Sequence, residues 1–336
     1  MNTDTTKPVL IIGGSGVVGF RAARTLRRFH PDLPLAIAGR DLEKAERKAR
    51  ELGNAHAVKV NLERPDLGLP DGNSYSAVVM FLKDDTLNGM KYAQATGAGY
   101  IGISSGLFEI GPDVAQYIHQ PASTPILLAS HWLAGTATLP ILHFVKDFQS
   151  VDVIDIGVLL DDQDMGGPAA YADYERMTTA VPGVMVLQEG QFVWLKPGET
   201  SRPFTSVDGT RMAAQAYSPF DVISLASATD AKSIRLDLAL GETSSRRQGK
   251  PFSTEIIVEI EGIRKDGSTG RHRYEIVHPE GQAALTALGV TLGVEGLLGL
   301  VNGQVAKPGL YFPEVLIESS HMMRRLEEIG TVIRRK

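Results

Sequence analysis

The chain has 336 residues, 43% of them hydrophobic and 22% charged, with a net charge of −5 and no cysteine. That length exceeds what one core usually holds, so two domains are expected. The lack of thiols excludes disulfides, thiolate metal sites and thioester chemistry, and without a basic excess there is little to neutralise the phosphates of a nucleic acid.

The N-terminus is short and polar, without the apolar centre of a signal peptide. The longest apolar stretch, 290–301, contains Glu295 and falls short of the roughly 20 residues of a bilayer span. A cytoplasmic protein with no membrane partner is expected. An apolar run at 9–12 ends in glycines, and 16–29 reads as a helix, with Val17, Val18, Phe20, Ala23 and Leu26 on or near one face. Further runs follow at 35–38, 57–60, 77–82, 100–103 and 125–129, with helical patterns at 41–52 and 87–96. This alternation predicts an α/β fold: a doubly wound parallel Rossmann sheet over residues 1–148.

The pattern changes near Ser150. A mixed run covers 151–160, and 184–187 and 192–195 flank a hairpin turn. Residues 234–240 alternate strictly, and 256–263 and 272–277 flank a turn containing Asp266-Gly267. These features predict an inserted α+β domain at 149–279, built on a mostly antiparallel mixed sheet with one solvated face. From 281 to 300 the chain reads as a helix whose glycines allow close approach of another backbone. An amphipathic helix is expected at 313–329, and residues 280–336 are expected to return to the Rossmann domain. The basic residues near the end (Arg324, Arg325, Arg334, Arg335 and Lys336) read as a solvated helix face.

The chemistry concentrates in Gly13-Gly14-Ser15-Gly16-Val17-Val18-Gly19. Glycines between an apolar strand and a helix let the backbone turn sharply and approach a pyrophosphate, and the helix N-terminus offers it free N–H groups. The second strand ends in Gly39-Arg40, where an NAD-binding chain usually places an acid for the ribose. A guanidinium grips a 2′-phosphate, whereas a carboxylate would repel one. NADP(H) is therefore favoured over NAD(H), with Asp41 assigned to the cap of the following helix.

In doubly wound sheets ligands lie beyond the carboxyl ends of the strands. The loops there carry Lys83, Ser104 and Ser105, and Ser130-His131-Trp132. His131 and Lys83 are the candidate proton donors. Ser104 is assigned to cofactor binding, and Trp132, Arg211, Tyr217 and Arg246 to substrate binding. Asp161-Asp162-Gln163-Asp164 lacks the ligand spacing of a calcium loop, so it reads as solvated and no metal is expected. His278 is expected to be structural.

Three segments carry a resemblance to a known family. They are Val9-Leu10-Ile11-Ile12 with the glycine loop, Ala38-Gly39-Arg40-Asp41-Leu42-Glu43-Lys44-Ala45, and Gly309-Leu310-Tyr311-Phe312-Pro313-Glu314 with the helix that follows. Gly166-Gly167-Pro168 is a looser match. The chain resembles the saccharopine dehydrogenase-like family of NAD(P)-dependent oxidoreductases. The resemblance implies a Rossmann domain, an inserted mixed-sheet domain, and C-terminal helices that return. It also implies hydride transfer at a C–N bond of an imine or amino-acid-type substrate, with other members reducing C=C bonds of lipid-like substrates. A carbonyl or enoyl reductase and a non-catalytic NADP(H)-sensing protein are the alternatives. A homodimer through the second-domain sheet and a small-molecule substrate are the expected partners.

Overall fold

The computed structural model describes residues 6–70, 72–164, 166–179 and 183–336, so the N-terminal residues 1–5 fall outside it. In chain order the first elements are β1 (Val9–Ile12), α1 (Val17–Phe29), β2 (Leu35–Gly39), α2 (Leu42–Leu52), β3 (Ala55–Lys59), β4 (Ala77–Met80), α3 (Asn88–Thr96), β5 (Gly99–Gly102), α4 (Ile110–His119) and β6 (Pro125–Leu128). Next come α5 (Thr138–Phe144), β7 (Phe148–Asp161), α6 (Pro168–Thr179), β8 (Met185–Gln188), β9 (Gln191–Trp194), β10 (Phe204–Thr205), β11 (Arg211–Met212), β12 (Gln215–Ala216), α7 (Asp221–Ala228), β13 (Ser233–Gly241), α8 (Ser244–Arg247), β14 (Thr254–Arg264) and β15 (Thr269–His278). The chain closes with α9 (Gln282–Leu298), β16 (Gly309–Tyr311), α10 (Pro313–Leu316), α11 (Ser319–Glu328) and β17 (Val332–Arg335).

These elements form two compact units. One holds residues up to Ser130, Gly166–Tyr174 and Thr286–Ile317; the other holds the rest, including Glu318–Lys336.

The first unit is a seven-stranded parallel sheet in the order β16-β6-β5-β4-β1-β2-β3, flanked by helices. All four residues of β1 are buried, as are all four of β4 and β5, which is why these strands read as unbroken apolar runs. The strand order reverses between β1 and β4, so the crevice where ligands enter opens beside the end of β1. α1 buries Gly19, Phe20, Ala22, Ala23 and Leu26 along one stripe. α9 lies over the middle of the sheet. A Cβ on Gly293 would sit 2.7 Å from Leu127, and one on Gly296 3.1 Å from the backbone carbonyl of Leu316, so both glycines permit close approach. His30 joins α9 through a 2.8 Å contact with Glu295.

The second unit is an eight-stranded mixed sheet in the order β17-β15-β14-β7-β13-β8-β9, with β12 also paired to β13; among the described residues only β7 and β13 run parallel. α5 contacts α7 and α11, and Phe144 of α5 stacks on Tyr274 of β15 at 4.1 Å. The strict alternation of β13 does not produce a solvated face, because Asp237 and Ala239 are each 2% exposed. Segment 202–216 covers that side. Phe204 lies over Gly157, where a Cβ would come within 2.7 Å of the ring. Arg202 sits between Asp155 (2.8 Å) and Asp237 (2.6 Å).

Three expectations about the C-terminal region need correction. The helix expected at 313–329 breaks at Ile317 and Glu318, whose extended backbone places Ile317 in the core. Residues 318–336 belong to the second unit rather than the Rossmann unit, because β17 pairs with β15. Arg334 and Arg335 therefore lie on a strand, not on a helix face.

Candidate functional site

The loop after β1 fits a dinucleotide on steric grounds. Gly13 has φ +83°, in the left-handed region that favours glycine, and its added Cβ would meet Phe81 at 3.1 Å. A Cβ on Gly14 would lie 2.7 Å from the Ile11 carbonyl, and one on Gly19 would collide with the Gly13 carbonyl. Gly16 caps α1 and has no side chain to accept the first-turn N–H groups. Val17 is 46% exposed at this end of the helix. The end of β2 lies alongside, with Gly39 placed so that a Cβ would be 3.6 Å from Ser15 Oγ. Arg40 is exposed beyond it. The Asp41 carboxylate accepts the Lys44 backbone N–H at 2.9 Å and caps α2, so it is committed to the helix.

A polar cluster occupies the ends of β4, β5 and β6. Lys83 Nζ donates to Ser105 Oγ at 3.3 Å and lies 3.8 Å from Glu109. Ser105 Oγ donates to Asp113 at 3.5 Å, and its backbone N–H donates to Ser130 Oγ at 3.0 Å. Glu109 accepts the Gly106 N–H at 2.7 Å. Asp84 is buried and accepts the Met90 and Gly89 N–H groups and the Tyr100 hydroxyl, which caps α3. Burial pushes the Asp84 and Asp113 carboxyls up, and it pushes the Tyr100 hydroxyl well above its usual value. Ser104 is 3% exposed at the end of β5. Lys83, Ser104 and Ser105 were legible in the sequence as loop residues. Asp113, in the following helix, carried no signal of its own.

The remaining candidates lie in the second unit. His131 is 5% exposed, its Nε2 lies 2.6 Å from Ser224 Oγ, and its ring meets Phe220 edge-on. Burial holds its pKa down to about 3, so it is neutral at physiological pH and has no imidazolium proton to give. Trp132 and Tyr217, both expected at the substrate, come together edge-on at 5.9 Å. The Trp132 N–H donates to Asp221 at 2.5 Å, and Thr138 donates to the other oxygen of that carboxylate at 2.6 Å. Between these two anchors Leu133, Ala134 and Gly135 all have positive φ, a rare strained turn in buried backbone. Asp221 gave no signal in the sequence.

Arg246 pairs with Asp161 at 3.2 Å and Asp162 at 2.6 Å, so its charge is already neutralised. Arg211 is exposed on the two-residue strand β11. The acidic loop is solvated only in its middle, at Asp162 and Gln163, while Asp161 and Asp164 are buried. Asp161 accepts the Thr243 N–H and hydroxyl, and Asp164 accepts the Gln282 N–H at the start of α9 at 2.7 Å. Among the described residues no cluster of His, Asp or Glu has the form of a metal site. His278 is buried against Thr331 at 3.0 Å. No described helix is long and apolar enough to cross a membrane.

Neither a family model nor a curated protein sequence matches this chain. Among solved structures it is similar to apo saccharopine dehydrogenase (L-Glu forming) from Saccharomyces cerevisiae, with a TM-score of 0.71 and 13% identity over 98% of this chain and 99% of that one. It is also similar to a probable dehydrogenase from Thermotoga maritima, with a TM-score of 0.50 and 11% identity over 97% and 98%. The likeness extends over the whole length of both units' sequence, including the stretches where no motif was legible. The chain has the saccharopine dehydrogenase fold.

Proposed function

We propose that this chain is an NADP(H)-dependent oxidoreductase acting by hydride transfer on a C–N bond of an imine or amino-acid-type substrate. The observation that carries the reading is the edge shared by β1, β2 and β4. There a glycine loop with no room for side chains meets a Gly39-Arg40 strand end whose neighbouring acid is committed to a helix cap. The loop residues Gly13, Gly14, Ser15, Gly16, Val17 and Val18 hold the pyrophosphate, and Arg40 grips the 2′-phosphate. The bound dinucleotide supplies the hydride.

Lys83 is the residue proposed to meet the reacting atoms. Its ammonium polarises the substrate's C=N nitrogen or C=O oxygen and delivers a proton there. Glu109 and Ser105 hold the amine end, which fixes where that proton is offered. Trp132 and Tyr217 remain the proposed substrate-contacting aromatic pair. Reduction of a carbonyl or enoyl group is the second reading. It is favoured by the pairing of Arg246 with Asp161 and Asp162, which removes one expected grip on a substrate carboxylate.

The test is NADPH oxidation against keto acids with amines, preformed imines, ketones and enones, alongside direct binding of NADPH and NADH. Turnover with the first two groups supports the main reading, and turnover with the last two supports the second. Tight NADPH binding without turnover on any of them points to a sensor, and no binding of either dinucleotide refutes the proposal.

A further inference from the structure

Between His131 and Leu285 the chain folds into the second unit, with one exception: Gly166–Tyr174 belongs to the Rossmann unit. One of its contacts there lies at the phosphate loop. Gly167 has φ +86°, and a Cβ built on it would lie 3.1 Å from Val17 Cγ2 and 3.5 Å from Val17 Cβ. Val17 is the first residue of α1, directly after the Gly16 cap. Gly167 is therefore glycine for two separate reasons: any side chain would be strained by the backbone and would press on Val17. Gly166 is buried, and Pro168 opens α6, with the Tyr171 N–H returning to the Gly167 carbonyl at 3.2 Å.

α6 is unusual in burying none of its residues. Tyr171 and Tyr174 are 50% and 41% exposed and, being three apart, share one side of the helix. Packing of its own apolar face therefore does not explain why this segment leaves the second unit for the first.

We propose that Gly166–Tyr174 is a clasp that closes over the dinucleotide held on the Gly13–Gly19 loop, with Gly167 as its pivot on Val17. The inference rests on the reading of that loop as a dinucleotide site and adds a part of the chain to it. Ligand entry and release would then require the Gly167–Val17 contact to open, and a bound dinucleotide would hold it shut.

The experiment is hydrogen exchange of the full chain with and without NADPH, followed on peptides from the phosphate loop, from 166–174, and from the β14–β15 hairpin as a reference. The expected result is slower exchange at both the loop and 166–174, about tenfold or more, with the hairpin unchanged. Protection of the loop without protection of 166–174 overturns the clasp and leaves the dinucleotide reading standing. Protection at neither segment overturns both. As an independent measure, Gly167→Val should raise the Kd for NADPH about tenfold, the size of a left-handed backbone penalty, and NADPH should no longer slow exchange at 166–174 in the variant. An unchanged Kd in a folded Gly167→Val protein also overturns the proposal.

Discussion

Replacing Asp221 by Asn tests the electrostatics of the strained turn directly. Asp221 is fully buried at the start of α7, and its two oxygens accept the Trp132 N–H and the Thr138 hydroxyl. Burial pushes its pKa from 3.8 up to about 6, against the lowering effect of those hydrogen bonds. A carboxyl raised in the folded state favours folding below its unfolded pKa, and that contribution is lost as pH rises through the folded value. At 1.36 kcal/mol per pKa unit, that shift costs about 3 kcal/mol once the group is ionised in both folded and unfolded states. Asparagine keeps an acceptor for Trp132 and carries no charge. The stability of Asp221→Asn relative to the parent should therefore rise by up to about 3 kcal/mol between pH 4 and pH 8. Urea unfolding at pH 4, 6 and 8, followed by tryptophan fluorescence, measures this, because both tryptophans lie in the second unit. Comparing variant and parent at each pH cancels the titration of His131. A difference that stays flat across this range, or shrinks as pH rises, refutes the reasoning.

Other outcomes follow from the same structure. Arg40→Ala should weaken NADPH binding by roughly tenfold to a hundredfold, the worth of a charge-assisted hydrogen bond, with NADH little changed; equal losses for both would remove Arg40 from the 2′-phosphate site. Gly19→Ala should abolish dinucleotide binding in a titration, since its Cβ meets the Gly13 carbonyl; retained affinity would show that the loop is not the site. Lys83→Ala should lower kcat by about 10²–10⁴, the range of general acid catalysis, with NADPH affinity nearly unchanged; Lys83→Arg should recover charge but not proton delivery, and parental turnover in either variant would exclude the role. The depressed pKa of His131 stabilises the fold above its unfolded value of 6.5, and that contribution is lost as pH falls from there toward 3. His131→Gln should therefore lessen acid sensitivity between pH 6 and pH 4 in thermal melts while leaving the pH dependence of turnover above pH 6 unaltered. A shifted activity profile would return His131 to the mechanism.

The Rossmann unit was legible because its central strands β1, β4 and β5 are buried on both faces and appear as apolar runs, and because the glycine loop is local in sequence. Strand β16 escaped notice because it has only three residues, each half-buried, and gains its place from β6. β17 escaped for a similar reason: its Arg334 and Arg335 resemble a solvated charge cluster, and only pairing with β15 makes them a strand. In the site, Lys83 and Ser105 could be found from their position after apolar strands. The partners that define their surroundings, Glu109 and Asp113, are set by the turn into α4. The pairing of Arg246 was not legible, because free and neutralised guanidinium groups look the same in a sequence. Arg246 meets Asp161 and Asp162 only after β7 and β13 have paired.

β16 has a consequence for how the molecule is made. The outer strand of the Rossmann sheet comes from Gly309–Tyr311, although the strand it completes, β6, ends at Leu128. A ribosome releasing the chain from its N-terminus exposes β1 to β6 long before the piece that shields the β6 edge has been synthesised. During that interval the nascent sheet ends in an open, apolar strand, a template for wrong pairing with neighbouring chains. Chaperone dependence during translation should accordingly be concentrated in the interval between the emergence of β6 and that of β16.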